Sequence, residues 1–96
     1  MELKPRHTKI IETHDTKFGI LVREDYYQYP EEESNLYLID GHGKVKWYAE
    51  VPVDKDAYPN PIRFLDEDHI QVASWNCYSC KISLIDGKII TRHFTK

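Results

Sequence analysis

Cys77 and Cys80 stand with two residues between them in "WNCYSC", the spacing of half a zinc site or of a redox dithiol. A redox pair ordinarily lies at a helix N-terminus, where the dipole lowers a thiol pKa, and no helical pattern follows here. A structural zinc needs two further ligands, and the five histidines (His7, His14, His42, His69 and His93) are scattered along the chain. Alternation along a strand turns Cys80 inward with Ile82 and Leu84, where it acts as a small core residue. Cys77 falls at a hairpin tip. The pair stays a weak metal candidate, and no cofactor is expected.

Oxygen ligands occur in "VDKDAYPNPIRF", residues 53–64, as Asp54, Asp56 and Asn60. A calcium loop needs alternating acids, a central glycine and a distal bidentate glutamate, and this stretch lacks that order. It reads as a linker stiffened by Pro59 and Pro61. "LDEDH" groups acids with His69 in a tight turn, a solvated arrangement without an evident cleft. No GxSxG, HExxH or glycine-rich phosphate loop is present, and no catalytic activity is expected.

The richest loop is "EDYYQYPEEESN", residues 24–35, which sets Tyr26, Tyr27 and Tyr29 beside Pro30 and the acidic run Glu31–Glu33. Exposed aromatics on a loop anchor a protein partner or stack on a sugar ring. Alternatively, two of the tyrosines fold back onto the core and the glutamates form a solvated tip. Trp75 marks the corresponding loop of the second half. Tyr26, Tyr27, Tyr29 and Trp75 are the expected contact residues.

These side chains need a frame, and composition bounds it. The chain has 96 residues, 41% hydrophobic and 30% charged, which suits one globular domain. Its net charge of −3 gives no basic excess for nucleic acid. No apolar run reaches the ~18 residues of a membrane span. The N-terminus "MELKPRHTKII" shows no signal-like apolar segment, so the chain reads as cytoplasmic, with its cysteines as thiols.

The period of the apolar residues is two. In "GKVKWYAEV", Val45, Trp47, Ala49 and Val51 alternate with Lys44, Lys46, Tyr48 and Glu50. "YSCKISLI" sets Tyr78, Cys80, Ile82 and Leu84 on one face. In "NLYLI", Leu36 and Leu38 oppose Tyr37 and Ile39, so that strand is apolar on both sides and belongs to a sheet covered on both faces. Adding 7–13, 18–24, 62–65, 69–74 and 88–94 gives an all-β chain, with "HDTK" as its first turn and "DED" as a later one.

The letters LIDG occur twice, at Leu38–Gly41 and Leu84–Gly87. Superimposing them aligns 35–40 with 81–86, 44–50 with 88–94 and 20–24 with 70–74. Each half then holds four antiparallel strands in a unit of about 45 residues, the size of a propeller blade. "LYLIDGHGKVKW" resembles the blade motif of quinoprotein-like (PQQ-type) β-propeller repeats through Leu36, Tyr37, Asp40, Gly43, Lys44 and Trp47. "HIQVASWNCYSCKISLIDGKI" resembles the same unit, with Arg92 near the place of the closing tryptophan and a shorter turn. The resemblance implies a fold and no quinone site, because no position matches the quinone-binding residues.

Two blades do not close a ring, which takes about four to eight. Residues 1–96 therefore form a single all-β domain of two repeats, about 7–51 and 61–95. The repeats pack on each other as a sandwich, or copies assemble to complete a propeller. The expected function is a non-catalytic module binding a protein partner or itself. Carbohydrate binding by an assembled ring is the second expectation, and a small zinc protein using Cys77 and Cys80 the third.

Overall fold

The computed structural model describes residues 3–95; Met1, Glu2 and Lys96, the outermost positions of the 1–96 domain, lie outside the described residues. The elements are β1 (Ile10–Thr16), β2 (Gly19–Glu24), β3 (Leu36–Ile39), β4 (Val45–Tyr48), β5 (Arg63–Phe64), β6 (His69–Ala73), β7 (Tyr78–Ser83) and β8 (Ile89–Phe94). They form two four-stranded antiparallel meanders, β1-β2-β3-β4 and β5-β6-β7-β8. All eight expected strands are present, and the described residues contain no helix.

The sheets share one core. Leu21, Leu36, Leu38 and Ala49 of the first unit cluster with Ile70, Val72, Cys80, Ile82 and Leu84 of the second. Tyr58 and Ile62, from the connection between the units, complete the cluster. The opposite face of the first sheet buries Val22, Tyr37 and Ile39, covered in part by Leu3 of the N-terminal segment. Strand β3 is thus apolar on both sides because both sides are covered. The opposite face of the second sheet is polar, with Arg63 beside Gln71, Gln71 beside Lys81 and Lys81 beside Thr91.

Three details depart from the pattern in the sequence. Strand β1 begins at Ile10 rather than at residue 7, and His14–Thr16 belong to it rather than to the turn. Residues 6–8 leave the sheet because their backbone N–H groups of Arg6, His7 and Thr8 donate to the Glu24 carboxylate, at 2.7, 3.1 and 2.8 Å. Val45 lies opposite Ile39 with the second-face cluster, away from Trp47, because the register slips between Leu38 and Ile39. One bulged residue inverts the side-chain alternation beyond it.

The two LIDG segments also differ in place. Leu38 and Ile39 end strand β3, whereas Leu84, Ile85 and Asp86 are themselves the turn after β7. The left-handed glycine of the first turn is Gly43 (φ 82°), and that of the second is Gly87 (φ 74°). Open space surrounds the Cβ position of Gly41. At Gly87 the Trp47 indole occupies that position, and Trp47 Nε1 donates to the Leu84 carbonyl at 3.1 Å. The second turn is therefore a docking seat for the tryptophan of the first unit.

The connection between units is part of the core rather than a plain linker. Tyr58 is fully buried. Its N–H donates to Asn35 Oδ1 (2.9 Å), while Asn35 Nδ2 donates to the Tyr58 and Glu24 carbonyls (2.9 and 2.7 Å). Glu12 accepts from the nearly buried Arg23 Nε (2.8 Å) and from the Ile62 N–H (3.1 Å), tying β1 to the start of β5. Burial acts to raise the Glu12 pKa, but the bonds from His14, Arg23 and Ile62 outweigh it and hold the pKa low.

Glu24 is fully buried, and its neutralising groups are backbone N–H donors and the Tyr37 hydroxyl. Burial alone would raise its pKa; the Tyr37 and backbone bonds bring it below the ordinary 4.5. A folded pKa below the unfolded one gives stability that is present above the unfolded value and lost as pH falls through the folded one. Glu24→Gln is expected to lose about 3 kcal/mol at neutral pH. Chemical denaturation from pH 7 downward should show a shallower acid loss in the variant than in the wild type; equal acid limbs would refute the charged clamp. Gly87→Ala should lose about 2–4 kcal/mol through the left-handed backbone and the indole overlap, and Gly41→Ala less than about 0.5 kcal/mol. Thermal melts of the two variants decide this, and equal shifts would refute the distinction between the turns.

Candidate functional site

The loop between β2 and β3 is a chain of local turns. Asp25 N–H donates to the Lys9 carbonyl (2.7 Å), and Thr8 Oγ1 donates to the Asp25 carbonyl (2.6 Å). Asp25 Oδ1 accepts the Tyr27 N–H (3.0 Å), an Asx turn, and Tyr29 N–H reaches the Tyr26 carbonyl (3.2 Å). Gln28 takes the left-handed φ of 65° between these bonds. Farther on, Glu33 N–H donates to the Pro30 carbonyl (3.2 Å). The Glu33 carboxylate then receives Arg6 Nε at 3.1 Å and lies 3.2 Å from His7 Nε2, joining the loop to the N-terminal segment. Burial acts to raise the Glu33 pKa, and the bonds from Arg6, Tyr48 and His7 lower it overall.

Trp75 sits at the tip of the β6–β7 hairpin. Cys77 N–H returns to the Ser74 carbonyl (3.1 Å), and Cys77 itself is left-handed at φ 69°. Two bonds fix the tip to the inter-unit connection: Trp75 N–H to the Ala57 carbonyl (2.8 Å) and Asn76 N–H to Asp56 Oδ1 (3.2 Å). These bonds bring the tip beside the long loop. Tyr26 and Trp75 meet with ring centroids 5.2 Å apart and planes inclined by 31°.

Of the four expected contact residues, three form an accessible surface. Trp75 is 60% exposed and Tyr27 is 68% exposed, with Tyr26 between them half-buried. Tyr29 is only 8% exposed and packs edge-on against His7 at 5.0 Å. Burial, followed by the charges of Glu24 and Glu33, pushes its phenol pKa upward. Tyr29 is thus a support of the loop, while Tyr26, Tyr27 and Trp75 present its surface.

A cavity of about 260 Å³ opens beside these rings, with Lys55 and Asp56 among its lining residues. A second, of about 270 Å³, shares Glu31, Glu33, Lys55 and Asp56 with it and is also lined by Glu32 and Asp54. Lys55 and Asp56 belong to the site through tertiary contact, and their spacing alone carries no sign of it. The cysteines lie elsewhere in role: Cys80 is buried in the shared core, where burial raises its thiol pKa, and Cys77 is at the hairpin tip. Among the described residues, no three His, Cys, Asp or Glu side chains gather as metal ligands. No described helix is long and apolar enough to cross a membrane.

Comparison of the chain with protein-family models, curated proteins and solved structures gives no match.

The aromatics divide by burial, and stability should divide with them. Tyr29→Ala is expected to cost about 3 kcal/mol, and Trp75→Ala less than about 1 kcal/mol. Urea denaturation of each variant measures both. A Trp75→Ala loss as large as that of Tyr29→Ala would make Trp75 a structural residue and remove it from the site.

Proposed function

We propose that this chain is a non-catalytic interaction module, with Tyr26, Tyr27 and Trp75 as its contact surface for a protein partner. The observation that carries the reading is the exposed aromatic group itself. Two large rings stay open to solvent although the backbone beneath them is hydrogen-bonded on both sides. Rigid, exposed aromatics lose little entropy on contact and bury much area, which is the character of an interface anchor. Each meander has the four antiparallel strands of a propeller-blade-sized unit. The shared core, the polar outer face of the second sheet and the covered outer face of the first support a compact unit, with the partner docking at the loop end.

A random library of short displayed peptides, selected on the wild type and counter-selected on Trp75→Ala, tests the reading. Peptides should be recovered whose affinity falls at least about tenfold with Trp75→Ala or Tyr27→Ala. Light scattering over a range of concentrations covers self-association, which the same variants should weaken if copies meet through this surface. A constant monomer mass together with no variant-sensitive peptide would overturn the proposal. In that case a glycan array addresses the remaining use of an open Trp75 face, stacking on a sugar ring.

A further inference from the structure

We infer that the surface beside Trp75 receives a basic segment of the partner, with a lysine or arginine side chain held between the aromatic rings and the carboxylates around Asp56. The inference rests on the interaction-module reading and names the chemistry of what the module binds.

Asp56 is the first reason. It is 5% exposed and lines both cavities. Its Oδ1 accepts the Ala57 and Asn76 N–H groups (2.9 and 3.2 Å), whereas its buried Oδ2 has no hydrogen-bond partner among the described residues. A buried carboxylate oxygen without a donor is unfavourable, and a cation entering the adjoining cavity offsets that through a medium less screening than water.

The walls are the second reason. Glu31 lines both cavities, Glu32 and Asp54 line the second, and among the described residues Lys55 is the one cationic side chain lining either. Lys55 Nζ stands 3.8 Å from Glu31 with both side chains mostly exposed, a loose pair of small worth that an incoming guanidinium displaces readily. Trp75 and Tyr27 line the first cavity together with Glu31 and Asp56 and are largely exposed, and aromatic rings attract a cation through their quadrupole. Carboxylates spread along a surface can pair with a guanidinium or ammonium group through charge-assisted hydrogen bonds. The net charge of −3 favours encounter with a basic segment.

The test uses peptides selected from the displayed library on the whole chain. They should be enriched in lysine or arginine. Binding should weaken at least about tenfold for the exposed double reversal Glu31→Lys with Asp54→Lys, and also when salt is raised from about 0.05 to 0.5 M. Lys55→Gln should bind the same peptides more tightly. Peptides that need Trp75 but carry no basic residue and ignore both charge changes would overturn this inference and leave the interaction module standing. Recovery of no peptide sensitive to Trp75→Ala or Tyr27→Ala would overturn this inference, and together with a constant monomer mass it would overturn the interaction module as well. Circular dichroism of each charge variant confirms its fold, and since these side chains are exposed, weakened binding by a folded variant counts as support.

Discussion

A buried carboxylate with no ion-pair partner among the described residues governs much of this molecule. Glu24 ends strand β2 inside the protein, and its charge is stabilised by the N–H groups of Arg6, His7 and Thr8 and by the Tyr37 hydroxyl. Three successive residues turning their amides toward one anion make a nest, here filled by the protein's own side chain. The nest needs residues 6–8 out of the sheet, which sets the start of β1. It also lays the preceding residues over Val22, Tyr37 and Ile39, so that an apolar outer face is covered without a second chain.

The same clamp reaches the surface loop. With residues 6 and 7 fixed through their backbones, the Arg6 and His7 side chains are free to hold Glu33, and Thr8 holds the Asp25 carbonyl. Both ends of the loop are thereby secured from one short segment. The remaining alignment comes from the other unit, through Trp75, Asn76 and the connection at Asp56 and Ala57. Ring contact between Tyr26 and Trp75 is the outcome of these two independent anchors. Its geometry therefore depends on Glu24, which acts through the backbone of residues 6–8.

Much of the fold was legible because a period of two is a local property. Leu36 and Leu38 against Tyr37 and Ile39 announced a doubly covered strand, and Tyr78, Cys80, Ile82 and Leu84 announced an inner face. Legibility failed where one residue changes the count. The slip between Leu38 and Ile39 sends Val45 to the other side, and no letter near it signals the bulge. The doubled LIDG misled in a related way. Identical letters occupy a strand end in one half and a turn in the other, because Gly43 and Gly87, rather than Gly41 and Gly87, carry the left-handed turn conformation. The burial of Tyr58 is illegible for a different reason. Flanked by Ala57 and Pro59, it reads as part of a spacer, and only the shared core between the two sheets makes a place for it.

The candidate site shows how residue type and residue role separate. Tyr26, Tyr27 and Tyr29 lie within four positions of one another and are chemically alike. The left-handed residue Gln28 parts them: the chain reverses there, so Tyr29 turns under the loop toward His7 while Tyr27 stays outside. Lys55 and Asp56 lie far from the loop in sequence and carry no motif, yet they line both of its cavities beside Glu31 and Glu33. The protein holds Asp56 there for a structural task, capping the Ala57 and Asn76 N–H groups with one oxygen. The other oxygen is left over from that task. A residue buried to brace the Trp75 hairpin thus places negative charge behind the aromatic surface, so the bonds that position the rings also set the charge a ligand would meet.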